Sequence, residues 1–170
     1  GLRSLWTLAL CLLPGGAAVS APAEPSAPQA LVFDFTGGLS GWTAGGDTAA
    51  LRVASRADHP DRGACVELDL VGASATLRLK KPLDLSRYRT LRLDAFLPRS
   101  AAQMQVSAYF IDDEDFWYQT WPRLVPAANR WDTIEVDIRP EAGQLEPKGH
   151  SRPWGPYPAR NIREVGIRIF

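Results

Sequence analysis

The stretch AYFIDDEDFWYQTW, Ala108 to Trp121, sets two apolar-aromatic runs on either side of an acidic turn. Both runs have strand lengths, and Asp112-Asp113-Glu114-Asp115 is too polar to bury, so the segment reads as a β-hairpin. Trp117, Tyr118 and Trp121 place three large rings within five residues. Such rings are costly to expose unless they fill a core or meet a ligand, and this alternative governs the functional reading. Strand parity admits two arrangements of FWYQTW. The favoured one turns Phe116, Tyr118 and Thr120 inward and Trp117, Gln119 and Trp121 outward, with a Trp that caps the core as the competing account.

Outward from the hairpin, apolar residues recur with period two almost everywhere. LVFDF (from Leu31), AALRVAS (from Ala49), CVELDLV (from Cys65), ATLRLKK (from Ala75), TLRLDAFL (from Thr90), QMQVSAYFI (from Gln103), FWYQTW (from Phe116), TIEVDIR (from Thr133) and EVGIRIF (from Glu164) give nine candidate strands and no amphipathic helix. Gly, Pro, Asn and Asp clusters punctuate them, among them Gly45-Gly46-Asp47, Gly72 and Pro98-Arg99-Ser100. Strands with one apolar face must bury it against another sheet, so the expected fold is an all-β, two-sheet β-sandwich. Only the segment from Pro140 to Arg160 lacks a strand pattern; it carries His150, Arg152, Trp154 and Tyr157, and loops this long are commonly functional.

The first residues follow another rule. Arg3, the apolar run LWTLALCLL (Leu5 to Leu13) and Val19-Ser20-Ala21 have the order of a secretory signal peptide, followed by a Pro/Ala linker over residues 22–30. The expected organisation is signal 1–21, linker 22–30 and one module over 31–170, secreted or periplasmic, with no membrane contact after signal removal. The strand-like run at Phe170 leads us to expect a further strand and a further domain C-terminal to it.

Lys+Arg and Asp+Glu balance at 19 each, which argues against nucleic acid as a partner. Cys65 would be the one cysteine of the exported part, a packed thiol rather than half of a disulfide. Four consecutive acids cannot all point one way, so the turn is expected to be solvated rather than a cation site. No nucleophile elbow, phosphate loop or metalloprotease motif is present.

The order FDFTGGLSGW, PLDLSRYRTLRLDAF, QVSAYFIDDEDFWYQTW, NRWDTIEVDI, NIREVGIRI resembles the galactose-binding-like jelly rolls. More narrowly it resembles the carbohydrate-binding modules of family eleven and the related complex I intermediate-associated proteins. The resemblance covers roughly residues 31 to 170. It implies a jelly roll lacking its last strand, and a structural calcium near the N-terminal strand for which Asp34 is the candidate ligand.

Parity assigns Leu91, Leu93, Ala95, Leu97, Met104, Val106, Ala108 and Phe110 to the core. Arg92, Asp94, Gln105, Ser107 and Tyr109 are left facing outward; if their strands were neighbours, they would form one polar-aromatic platform with Gln119 and Arg168. The expected function is a non-catalytic module binding a polysaccharide or oligosaccharide. Rings would stack on Tyr109, Trp117, Trp121 and Trp154, and hydroxyls would be held by Arg92, Asp94, Gln105, Gln119 and Arg168. The remainder of a larger protein would then supply the enzyme, such as a glycoside hydrolase. One alternative is a structural or protein-binding sandwich packed on another domain. Another is a small polysaccharide lyase using Tyr109, His150 and Arg152.

Overall fold

The computed structural model describes residues 4–13, 31–33, 35–55, 64–101 and 103–170. These residues form an all-β sandwich of two antiparallel sheets. The strands are β1 (Ser4–Leu13), β2 (Leu31–Phe33), β3 (Trp42–Ser55), β4 (Ala64–Leu83), β5 (Thr90–Leu97), β6 (Met104–Asp112), β7 (Trp117–Thr120), β8 (Arg123–Val125), β9 (Arg130–Asp137), β10 (Leu145–Lys148) and β11 (Ile162–Ile169), with one short helix α1 (Pro156–Arg160). Among the described residues no helix is long and apolar enough to cross a membrane.

The long β3–β4 hairpin links the two sheets. Its Trp42–Gly46 and Ala75–Leu83 parts continue into β11, β6, β7 and β10, while its Thr48–Ser55 and Ala64–Leu70 parts continue into β1, β5 and β9. CVELDLV and ATLRLKK, expected as two strands with a turn at Gly72, are therefore one strand. The chain absorbs the change of direction in the partner strand instead. Gly46 is left-handed (φ 79°), and the β3 register slips on both sides of Thr48. Asp47 folds over β4, accepting from Ala73 N at 2.9 Å and Ser74 N at 3.2 Å. A Cβ at Gly72 would stand 2.5 Å from the Asp47 carboxylate, so this glycine serves close approach rather than a turn.

The core lies between the sheets. Leu77, Leu79, Val106, Phe110, Tyr118, Val165 and Ile167 from one side meet Val66, Leu68, Leu91, Leu93 and Val136 from the other. Trp42 closes one part of it, edge-on to Phe33 at 5.4 Å. Cys65 is buried and its Sγ donates to Ala54 O at 3.3 Å.

Two segments depart from the expected pattern. The Pro/Gly-rich stretch holds a 3-10 turn at Pro140–Ala142, the strand β10 and the helix α1. Ser4–Leu13, the apolar run of the expected export signal, is the strand β1. It pairs with β4 from Ser4↔Leu70 to Leu8↔Val66 and with β5 from Thr7↔Phe96 to Leu13↔Thr90. The cleavage signature and the linker 22–30 lie outside the described residues.

Burial pushes the Tyr118 hydroxyl up to about 12 from its ordinary 10.0, with the nearby Asp112 charge adding to the rise; burial likewise raises Tyr109, helped by Glu164. A tyrosine raised in the folded state is neutral in both states below pH 10, so its contribution is intact there. Above pH 10 only the unfolded form ionises, and stability falls until the folded group titrates. For Tyr118 the loss between pH 10 and 12 is about 2–3 kcal/mol at ~1.4 kcal/mol per unit. Urea midpoints are expected to be level from pH 8 to 10 and to drop beyond, with a shallower drop in Tyr118→Phe; equal slopes in the two proteins would contradict the assignment.

Candidate functional site

The site grows from one glycine. At the outward position of β11, Gly166 lies beside Tyr109 in the register of β6, and a Cβ there would stand 2.4 Å from Tyr109 Cε1 and Cζ. The missing side chain lets the Tyr109 ring lie across the sheet. Its hydroxyl donates to Glu164 Oε1 at 2.7 Å. Trp117, from β7, stacks on Tyr109 with ring centroids 4.5 Å apart and planes at 20°. Tyr109 is thereby buried, and Trp117 is the ring that remains half-exposed.

A second chain of bonds fixes Trp117 from the side. Gln119 Oε1 accepts from Trp117 Nε1 at 3.2 Å and from Arg168 Nη1 at 3.2 Å, and Gln119 Nε2 donates to Ser107 Oγ at 3.2 Å. Ser107 Oγ in turn donates to Thr120 O at 3.1 Å. The amide orientation follows from these partners, since its oxygen meets two donors and its nitrogen an acceptor. Arg168 extends over Trp117 at 5.8 Å and Phe170 at 4.9 Å. Trp121 is 64% exposed, with Lys148 Nζ 5.4 Å from its ring. Together these residues wall a cleft of about 560 Å³. Pro122 breaks the strand here, so β7 and β8 pair with β6 separately and Trp121 projects between them.

The expected platform is not continuous. β5 and β6 are not neighbours, since β11, β4 and β1 lie between them in strand order, and they fall on opposite sides of the sandwich, so outward-facing Arg92 and Asp94 are separated from Tyr109 and Gln119. Asp94 is buried and saturated: its Oδ1 accepts from Thr133 Oγ1 at 2.6 Å and Arg92 Nε at 3.3 Å, and Arg92 Nη2 stands 3.2 Å from Oδ2. That face carries a closed ion pair beside the Phe96–Trp131 ring contact. Gln105 is exposed on the Tyr109 face but outside the cleft lining.

Trp154, expected to stack on sugar, is a core residue. It is 7% exposed, stacks on Phe110 at 5.5 Å, meets Tyr118 edge-on at 5.2 Å and donates from Nε1 to Ile138 O at 2.7 Å. The lyase trio is also dispersed. Tyr109 is sealed under Trp117, His150 packs on Tyr118 and Phe116 with Nε2 2.9 Å from Trp117 O, and Arg152 is paired with Glu114 across Phe116 and Tyr157.

The acidic turn is organised by one inward carboxylate. Asp112 is buried, its Oδ1 accepting from Glu114 N at 3.0 Å and Phe116 N at 2.9 Å, while Glu114 pairs with Arg152 and Asp115 with Arg163. Asp34, the expected calcium ligand, lies outside the described residues. Among the described residues no three His, Cys, Asp or Glu side chains converge on one point.

Strand parity alone does not single out Gly166 or Glu164, although a glycine at an outward strand position is itself a signal of close approach. Compared with known proteins, the chain matches no family model and no curated protein.

Proposed function

We propose that this protein is a non-catalytic module that binds a polysaccharide on the outward face of β6, β7 and β11, and that it belongs with the galactose-binding-like sandwiches it resembles. The observation that carries the reading is the cleft between Trp117 and Trp121, where one ring is held rigid and half-exposed and the other is openly exposed. The apolar face of a pyranose stacks on such rings, while the donors at the rim meet its oxygens. Rigid rings lose little conformational freedom on binding, so more of the contact energy appears as affinity. A linked enzyme domain would gain effective concentration at the polymer by such tethering.

Affinity electrophoresis in gels containing β-glucan, xylan, mannan, pectin or alginate tests this reading. One polymer is expected to retard the protein. Trp121→Ala is expected to weaken that retardation by about 5- to 30-fold, the ~1–2 kcal/mol that a truncated binding aromatic removes, with no change in Tm because the ring is exposed. Free migration in every gel would reject the reading.

Export rests on residues 1–21, which also contain β1. Cleavage after Ala21 would remove the strand between β4 and β5, so N-terminal sequencing of the secreted protein decides whether the mature domain keeps it.

A further inference from the structure

The polar groups of the cleft are unevenly spent. Gln119 Oε1 already accepts two hydrogen bonds, and Thr120 Oγ1 accepts from Ala108 N at 3.0 Å. Among the described residues no Asp or Glu side chain lines the cleft, whereas both Lys148 and Arg168 do. A site for neutral sugars needs acceptors for hydroxyl protons, and of the side-chain acceptors here Gln119 Oε1 has both lone pairs engaged and Thr120 Oγ1 one of its two. Donors remain in excess.

Arg168 is the centre of that excess. Arg52, Arg92, Arg139, Arg152 and Arg163 each stand within 4.0 Å of a carboxylate. Arg168 has none that close among the described residues. It spends one N–H on the neutral amide of Gln119 and lies against the Trp117 and Phe170 rings. A guanidinium has five donors in a planar fork, and two parallel N–H bonds match a carboxylate. Lys148, 3.1 Å from Glu146, adds a second cation at the Trp121 side, partly offset by that partner.

Resting on the glycan-binding reading above, we infer that the ligand is an acidic glycan, a polymer of uronic acid residues, with a sugar carboxylate seated on Arg168 and the adjoining ring stacked on Trp117 or Trp121. The charge sits on the sugar because the cleft supplies the opposite one. Specificity then comes from the fork and affinity from the rings.

The test is calorimetric titration of the full chain with oligogalacturonate and oligoalginate and with the carboxyl-reduced counterpart of each, which keeps the ring and removes the charge. Neutral β-glucan and xylan oligomers form a third arm. Oligogalacturonate and oligoalginate together are expected to include the tightest ligand, and for that ligand the carboxyl-reduced form binds at least tenfold more weakly. Arg168→Gln weakens binding of the acidic form at least tenfold more than it weakens binding of the reduced form. Arg99→Gln, the same loss of charge in an exposed turn, has no effect. Equal affinity for charged and reduced forms, equal loss in both arginine variants, or binding confined to neutral oligomers overturns the acidic ligand while leaving a glycan site. Silence across all arms, neutral ones included, removes both readings.

Discussion

Gly166→Ala is expected to abolish glycan binding in a protein that still folds. The added methyl would stand 2.4 Å from two atoms of the Tyr109 ring. That ring cannot step aside, since Trp117 covers it and its hydroxyl is bonded to Glu164. Overpacking of this kind costs about 1–3 kcal/mol, too little to unfold a domain of ordinary stability. Its second effect is geometric: lifting Tyr109 tilts Trp117 and breaks the Gln119 bond that orients the indole. Binding should fall by well over about tenfold, because a displacement near 1 Å misaligns every contact of a preorganised site. Titration beside chemical denaturation measures both effects. A variant with lowered stability and full affinity would show that Tyr109 and Trp117 do not position the ligand.

A chain beginning at residue 22 is expected to lose the cooperative fold altogether unless another strand takes the vacated place. β1 is hydrogen-bonded on both sides, to β4 through Val66–Leu70 and to β5 through Thr90–Phe96. Its removal leaves two unpaired edges about 10 Å apart, twice the ~4.8 Å spacing of neighbouring strands, too far to close without shifting the opposite sheet. Open apolar edges of this kind aggregate. Circular dichroism melting and dye binding should show a broad transition with exposed apolar surface. A sharp melt within a few degrees of the full chain would mean that β1 is dispensable.

Both effects mark where strand patterning informs and where it stops. Alternation in QMQVSAYFI and TLRLDAFL sorts inward from outward residues, and Val106, Phe110, Leu91 and Leu93 are indeed buried. Alternation says nothing of strand order, so Arg92 and Tyr109, legible as outward residues, were joined into a platform that the sheets divide. An unbroken apolar run such as LWTLALCLL has the same composition whether it crosses to an export machinery or lies in the middle of a sheet. Trp154 sits among prolines and glycines without periodicity, so its burial against Phe110 depends on contacts distant in sequence. The double role of Asp112, an acid in an acidic turn that nevertheless points inward, is set by the hairpin geometry and not by residue type.

The most direct measurement uses the indole N–H signals of five of the six tryptophans, Trp42, Trp117, Trp121, Trp131 and Trp154. In a nitrogen–proton correlation spectrum each reports one place: Trp117 and Trp121 the cleft, Trp131 the Arg92–Asp94 face, Trp42 and Trp154 the core. On titration with the retarding glycan, the account predicts that the Trp117 and Trp121 signals move together along one saturation curve while Trp131, Trp42 and Trp154 stay in place. Movement of Trp131 with Trp117 and Trp121 unmoved would put the ligand on the other sheet and contradict the account.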